Sequence, residues 1–240
     1  MTGMGREVAL AVGHNEFEAA RKRELLAAQE KALGLFEAIE AGRLIAPGRS
    51  EADVEADIYA LAEREFGVVQ HWHRRIVRSG PNTLTTASDY PDSRTIEPDD
   101  TVYVDLGPVF EAWEADIGRT YALGDDPARH KLVEDLPRVF DEVQRRYHAT
   151  PAITGAELYA VARGVAEAAG WAFGGAIAGH LIGEFNHRVW PGEKAEMVIW
   201  PANTAPMRQP DHLGRARHWI LEIHLVDHAR TFGGFYEQLL

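Results

Sequence analysis

Asp105 lies near the end of the apolar run TVYVDL, Glu222 lies inside WILEIHLV, and Glu237 lies inside GGFYEQLL. An ionised carboxylate among apolar neighbours is costly unless a cation or an ion pair compensates it. Asp116 follows Asp105 by eleven residues, across GPVFEAWEA. A hairpin of that length can bring both carboxylates to one face, although most aspartates at strand ends only cap turns. His180 stands in AGHLIGEFNH between Gly179 and Gly183, where the backbone can approach closely and leave the ring accessible. Acids in such settings are either members of structural ion pairs or ligands of a metal. Lysine and arginine are scarce in these segments, and Arg119 is the nearest candidate for a structural pair.

Composition narrows the chemistry. The chain contains no cysteine, which excludes disulfides, thiolate nucleophiles and cysteine-based zinc sites. Any metal must rest on carboxylate and imidazole, a set that suits manganese, iron, cobalt or zinc better than soft ions. The net charge is -12, so an acidic surface repels phosphate backbones and nucleic acid is not an expected partner. With 240 residues, 45% of them hydrophobic and 26% charged, the chain can bury one substantial core. The N-terminal stretch does not read as a secretory signal, and no window approaches the roughly 18 apolar residues of a membrane span. A cytoplasmic protein with no membrane partner is the expectation.

The elements that must position these residues follow from periodicity. Residues 1–14 have no clear period and read as an N-terminal arm. Residues 15–43 repeat apolar positions at helical steps, with Asn15 as N-cap. After the Pro47-Gly48 break, Ser50 and Asp53 resemble a capping box that opens a helix ending near Gly67. Val68–Val69 and Arg75–Arg78 read as strands, Ser79 to Asn82 as a turn, 83–100 as a loop, and Thr101–Leu106 and Asp116–Ala122 as paired strands. A helix over 129–148, carrying Pro137 as a site for a kink, and a second over Ala156–Ala169 repeat the opening pattern. PGRSEADVEADIYALAEREFG and PAITGAELYAVARGVAEAAGW share a turn, a polar cap, a helix and a terminal glycine, which points to an internal duplication. A single domain over 15–240 is expected, with halves of about 15–125 and 126–240.

Together these motifs resemble those of the pita-bread metallopeptidases, the family of methionine aminopeptidase, Xaa-Pro aminopeptidase, prolidase and the non-peptidase creatinase. VDLG followed by DIGRT is similar to the family's first motif. GHLIG, with His187 seven residues after His180, resembles its GHGIG…H motif. LEIHL and FYEQL resemble its two glutamate motifs, and SGPN before VYVDLG is closer to the Xaa-Pro aminopeptidase and prolidase branch. The likeness covers about 15–240 and is to the catalytic domain only.

The resemblance implies an α+β pita-bread fold, in which a curved antiparallel sheet carries helices on its outer face in two pseudo-symmetric halves. It implies that Asp105 chelates one divalent metal, that His180 and Glu222 hold another, and that Asp116 and Glu237 bridge them. Two such cations, about 3.5 Å apart, share a hydroxide that attacks the substrate carbonyl. Glu222 is then both ligand and proton shuttle, and His187 hydrogen-bonds the substrate carbonyl or the tetrahedral intermediate. Manganese is the expected metal, with cobalt, iron or zinc as alternatives. Family members are often dimers, so a homodimer is compatible with the likeness, although no sequence feature marks an interface.

Two departures stand out. The peptidases place a histidine in the loop before the first aspartate strand, but the matching stretch here is TLTTASDYPD, with Ala87 or Ser88 at that place. Asp89 is nearby, and His71 and His73 in QHWHRR precede it. Ile223 replaces the usual proline after Glu222. His73, Asp89 and His224 are therefore the candidate substrate-binding residues, His224 because it shares a strand face with Glu222. The bland readings are a solvated edge for His71 and His73 and a surface position for His187. The leading functional expectation is an aminopeptidase or dipeptidase of Xaa-Pro type acting on small peptides. The alternatives are a related metal enzyme acting on a non-peptide small metabolite, and a non-catalytic binding module of the same fold.

Overall fold

The computed structural model describes residues 3–187 and 194–240. The elements run α1 (Gly3–Ala41), α2 (Glu51–Phe66), β1 (Ile76–Ser79), β2 (Thr101–Leu106), β3 (Val109–Phe110), β4 (Trp113–Glu114), β5 (Ile117–Ala122), α3 (Pro127–Ala149), α4 (Gly155–Ala168), β6 (Ala172–Phe173), β7 (Leu181–Ile182), β8 (His218–Val226) and β9 (Gly233–Leu239). The main sheet is antiparallel, in the order β1-β2-β5-β9-β8-β6, with β7 added on β8. Strands β1, β2 and β5 come from the first half of the chain and β9, β8 and β6 from the second, so the two halves meet where β5 lies beside β9. The Thr120 hydroxyl reinforces that seam: it donates to the Phe235 carbonyl and accepts from the Phe235 amide, each at 2.7 Å.

Side-chain alternation along each strand decides what the two faces do. On β2, Val102, Val104 and Leu106 join α1 and α2 in one core, together with Val77, Ile117 and Tyr121. On β8, Trp219, Leu221, Ile223 and Leu225 join α3 and α4 in a second core, with Tyr236 of β9 packed against it. The intervening residues Tyr103, Asp105, Glu222, His224, Phe235 and Glu237 face the other way. One row crosses the sheet in register: Ile76 opposite Asp105, Asp105 opposite Gly118, Gly118 opposite Glu237, and Glu237 opposite Glu222. The turn between β8 and β9 fixes part of that register. The Asp227 carboxylate there accepts from the amides of Ala229, Thr231 and Phe232 at 3.1, 2.5 and 2.9 Å.

Local capping explains the helix boundaries. Ser50 Oγ accepts from the Asp53 amide at 3.1 Å, and Thr154 with Glu157 forms a reciprocal capping box. The Ser79-Gly80-Pro81-Asn82 turn is tied to α2 by buried Glu51. Its carboxylate accepts from the Ser79 amide at 2.5 Å, the Ser79 hydroxyl at 2.9 Å and the Asn82 side chain at 2.9 Å.

Four local expectations change. The first helix begins at Gly3, so Asn15 lies inside it and is not its cap; extending a packed helix adds one hydrogen bond per residue, and a cap residue alone does not stop it. Val68 and Val69 form no strand. The Val68 amide is used to close the end of α2, donating to the Ala62 carbonyl at 3.1 Å. Helix α3 runs through Pro137 as one element, held by Leu132, Leu136, Val139, Phe140 and Val143 against the sheet. Arg119 pairs with Glu40 at 2.8 Å on the helix side rather than with any of the five acid and histidine candidates.

Candidate metal centre

The cross-sheet row brings Asp105, Glu237 and Glu222 to one face, with Asp116 just before Gly118 of β5. His180 reaches the same point from the segment ahead of β7, which is zipped onto β8. The Ile220 amide donates to the His180 carbonyl at 2.8 Å, and the Glu222 amide to the Ala178 carbonyl at 3.1 Å. Gly179 makes this approach feasible. Its φ is +134°, and a Cβ there would fall 2.0 Å from the Ile220 carbonyl oxygen. His180 Nε2 ends 3.0 Å from Asp116 Oδ2, 3.6 Å from Glu222 Oε1 and 3.7 Å from Glu237 Oε1. Asp116, His180 and Glu237 thus form one group able to hold an ion.

A second histidine closes the cluster from the opposite side. His73 Nε2 lies 3.0 Å from Asp116 Oδ1 and 3.6 Å from Asp105 Oδ1. His73, Asp105 and Asp116 form a second group of ligand geometry.

The electrostatics are those of a site short of positive charge. Burial pushes the Asp105 carboxyl up to about 7, and the charges of Asp116 and Glu222 add to that against the pull of His73. Burial likewise raises Glu222 to about 7 and Glu237 well above the usual carboxylate range. Asp116 is the exception. Burial works against its ionisation, but His73 and His180 hold it down at about 2. Burial alone would lower His73, whereas Asp116 and Asp105 raise it to about 9. His180 is raised well above its ordinary value, chiefly by its hydrogen bonds to Asp116 and Glu237 against burial. Four acids therefore share the charge of two imidazoles. Asp105 Oδ1 is buried without a hydrogen-bond partner. An orphaned buried carboxylate oxygen beside three further acids and two imidazole nitrogens is the donor set a divalent transition metal takes.

The cluster forms the floor of a cavity of about 610 Å³, with Ile76, Tyr103, Ile177 and Phe235 as apolar wall and residues 85–88 and Tyr90 at its edge. His224 is part of that wall. It is buried, its Nε2–H donates to the Thr83 carbonyl at 2.8 Å, and burial lowers its pKa. Asp89 is not brought into the cavity. Its carboxylate turns back to accept from the Thr86 amide at 2.7 Å and the Thr86 hydroxyl at 2.9 Å, closing its own loop. His187 stands to one side, its Nδ1 2.5 Å from Oε2 of fully buried Glu114, whose other oxygen accepts the His187 amide at 3.2 Å. His71 stacks on Tyr59, with ring centroids 5.4 Å apart, and lies outside the cavity lining.

The sequence pattern of metallopeptidase family M24 matches residues 23–209. The chain belongs to that family. It is 29% identical over 160 residues to the Xaa-Pro dipeptidase of Pyrococcus horikoshii, a match covering 65% of this chain and 41% of the relative. The structure of dipeptidase PepE from Mycobacterium ulcerans superposes with a TM-score of 0.67 at 28% identity, covering 92% of this chain and 55% of that one. Methionine aminopeptidase from Rickettsia prowazekii shares the fold, with a TM-score of 0.68 at 11% identity and 92% of each chain covered. The chain spans about two-fifths of the archaeal dipeptidase and little more than half of the mycobacterial one. Among the described residues no helix is long and apolar enough to cross a membrane.

Several functional neighbours in this M24 chain escaped sequence reasoning. Tyr103 and Phe235 were readable in principle, because each stands two residues from a ligand candidate on its strand. Glu114 gives no such signal, since its partner His187 is 73 residues away. Trp72 packs its ring within 4.6 Å of His73, 5.1 Å of His180 and 5.6 Å of His187, and its indole N–H donates to the Ala115 carbonyl at 3.0 Å.

Proposed function

We propose that this chain is a dinuclear-metal-dependent hydrolase, acting as an aminopeptidase or dipeptidase on small peptides of Xaa-Pro type. The observation that carries the reading is the convergence of Asp105, Asp116, His180, Glu222 and Glu237 from separate segments of the chain onto one buried point, with an unpartnered oxygen on Asp105. Those five side chains would hold two divalent cations, with manganese expected and cobalt, iron or zinc as alternatives. When bound, the pair would lower the pKa of a shared water and polarise the substrate carbonyl.

The chain's own residues supply the rest. Glu222 is only partly enclosed and faces the cavity, so its carboxylate is placed to accept the proton of the attacking water and return it to the leaving nitrogen. Glu114 fixes His187 by ring and backbone beside the cavity, and the family motif is what assigns its Nε2 to the carbonyl of the substrate or its tetrahedral intermediate. The wall of Ile76, Tyr103, Ile177 and Phe235 suits an apolar ring such as proline. The Xaa-Pro dipeptidase among the relatives supports the same substrate class.

A panel of Xaa-Pro dipeptides and tripeptides, assayed with added manganese or cobalt, tests the reading. Release of the N-terminal residue is expected. Protein that retains metal and cleaves none of them would refute peptidase function. It would favour the second reading, a hydrolase of a non-peptide amide or C–N bond in a small metabolite. One observation favours that alternative: the cavity edge at Ala87 and Ser88 offers no titratable group to protonate a leaving amine. Absence of metal from protein purified without chelator would point instead to a non-catalytic member. The proposed enzyme works in the cytoplasm, and a homodimer is compatible with it.

A further inference from the structure

The two histidines of the centre are arranged alike around Asp116. Each offers Nε2 at 3.0 Å to a different oxygen of that carboxylate, His73 to Oδ1 and His180 to Oδ2. Each also turns Nδ1 onto the carbonyl of the next residue: His73 onto Arg74 at 2.6 Å and His180 onto Leu181 at 2.8 Å. A carbonyl only accepts, so in both rings Nδ1 carries the hydrogen. In the neutral ring, the Nε2 lone pair then points at carboxylate oxygens. A ring whose second nitrogen donates to a backbone carbonyl is the usual state of a metal-bound histidine, because that bond fixes the tautomer and raises the basicity of the other nitrogen.

The fold makes room for His73 specifically. A Cβ on Gly107 would lie 2.2 Å from His73 Cδ2, 2.3 Å from its Nε2 and 2.7 Å from Trp72 Nε1. The segment carrying His73 is laid along the strand that leaves Asp105. The Trp72 amide donates to the Gly107 carbonyl at 3.0 Å, and the Val109 amide to the Gln70 carbonyl at 2.9 Å. Two ligand atoms each about 2.1 Å from one ion lie roughly 3.0–3.5 Å apart at tetrahedral or octahedral angles. The 3.0 Å separation of His73 Nε2 from Asp116 Oδ1 falls within that spacing, and the 3.6 Å separation from Asp105 Oδ1 lies just above it.

We propose that His73 is a sixth protein ligand, binding through Nε2 the cation that Asp105 and Asp116 hold, so that each metal position carries one imidazole. The inference rests on the dinuclear reading above. It gives the Asp105 position a nitrogen donor and shifts its preference toward borderline transition metals and away from magnesium and calcium. It also reassigns His73 from the substrate to the metal.

The test uses the full chain, stripped of metal and titrated with Mn2+ or Co2+ by calorimetry, with pulsed EPR of the loaded protein to count coordinated imidazole nitrogens. Two bound ions and two coordinated imidazoles are expected for the wild type. His73→Ala should weaken one of the two binding steps by at least about tenfold, leave one coordinated imidazole, and recover the second when free imidazole is added. Gly107→Ala, which keeps the imidazole but fills its space, should lose the same coordination. Should either variant lose secondary structure, the wild-type imidazole count decides alone. A wild type that binds two ions with one coordinated imidazole overturns the proposal and leaves the dinuclear reading intact; His73 is then a hydrogen-bonding neighbour that withdraws when metal enters. A wild type that binds one ion with two imidazoles makes His73 a ligand of the same ion as His180, which overturns its assignment to a separate position and refutes the dinuclear reading as well. A wild type that binds no ion refutes both.

Discussion

Gly179→Ala tests how far the metal centre depends on one backbone approach. The new Cβ would sit 2.0 Å from the Ile220 carbonyl oxygen and 2.9 Å from its carbon, both main-chain atoms that no rotamer change can clear. Restoring even the shortest tolerable contact, about 3 Å, requires the 178–180 segment to part from β8 by roughly 1 Å. Ligand distances at a metal tolerate about 0.2 Å. A shift of that size therefore takes His180 Nε2 out of reach, starting from its present 3.0 Å contact with Asp116. The φ of +134° adds about 1–3 kcal/mol of backbone strain for any side chain. The two amide bonds from Ile220 and Glu222 to the segment are each worth about 1 kcal/mol. The sum is roughly 3–5 kcal/mol, or about 6–20 °C in Tm for a domain of this length. Thermal unfolding by circular dichroism and calorimetric metal titration read both effects. Gly164→Ala serves as the control, because that exposed α4 glycine has nothing within 4 Å of the new Cβ and should change Tm little or raise it. A Gly179→Ala protein that unfolds within about 2 °C of wild type and binds metal normally would refute the account of how His180 is placed.

Metal removal should lower the Tm. An ion held at one hundred times its Kd stabilises by about 2.7 kcal/mol, so chelation should cost roughly 5–10 °C per site, and a Tm indifferent to EDTA and to added Mn2+ would count against a metal centre. Glu237→Gln should stabilise the metal-free protein slightly at neutral pH, by up to about 1 kcal/mol, since burial and the neighbouring Asp116 make a charge on Glu237 costly in the fold and Gln carries none. The same variant should lose most of the stabilisation by metal, which a thermal-shift titration would show; an unchanged response would remove Glu237 from the ligand set. His218 supplies a pH test away from the centre. Burial and the neighbouring Arg21 and Lys22 lower its pKa to about 4, against the opposing charge of Glu18. The unfolded chain then binds a proton that the folded chain refuses between about pH 6.5 and 4, so stability is full above that window and falls as pH drops through it. His218→Phe should flatten that part of the stability–pH curve, and an unchanged slope would exclude His218 as its source.

Asp105 and Glu222 stand out in the sequence because strands have a period of two, whereas Asp116 and His180 became candidates through hairpin spacing, flanking glycines and the family motifs. In TVYVDL and WILEIHLV, an acid among Val, Leu and Ile already implies that the strand has a second face, and the structure puts Asp105 and Glu222 on it, away from the helix cores. What stayed illegible depends on contacts distant in sequence or on side chains that satisfy themselves locally. His73 lies in an irregular segment whose path is set by hydrogen bonds to residues 107–109, so HWH in isolation reads as an exposed edge. Asp89 was a reasonable stand-in for the missing loop histidine, but an aspartate three residues after a threonine has a cheaper partner in that threonine's amide and hydroxyl. Asn15 had the chemistry of a cap without the break in the chain that would make it one.

The two faces of the sheet explain how a chain can carry so many buried acids and still fold. Asp105 and Glu222 sit on strands whose alternate residues are almost fully buried against the helices, so each of these costly side chains is flanked by two that drive the strand into place, Val104 and Leu106 for Asp105, Leu221 and Ile223 for Glu222. At about 1.5–3 kcal/mol for each buried Val, Leu or Ile, that flanking pair offsets the penalty of a partly protonated acid before any cation arrives. The sheet should then assemble without metal, whose stabilising effect is concentrated on the cavity face. The side chains there that do not touch the strands' own core, His73 and His180, are held by backbone hydrogen bonds to neighbouring segments instead. Substitutions on the helix side should consequently act through folding, and substitutions on the cavity side through the charge the site must import.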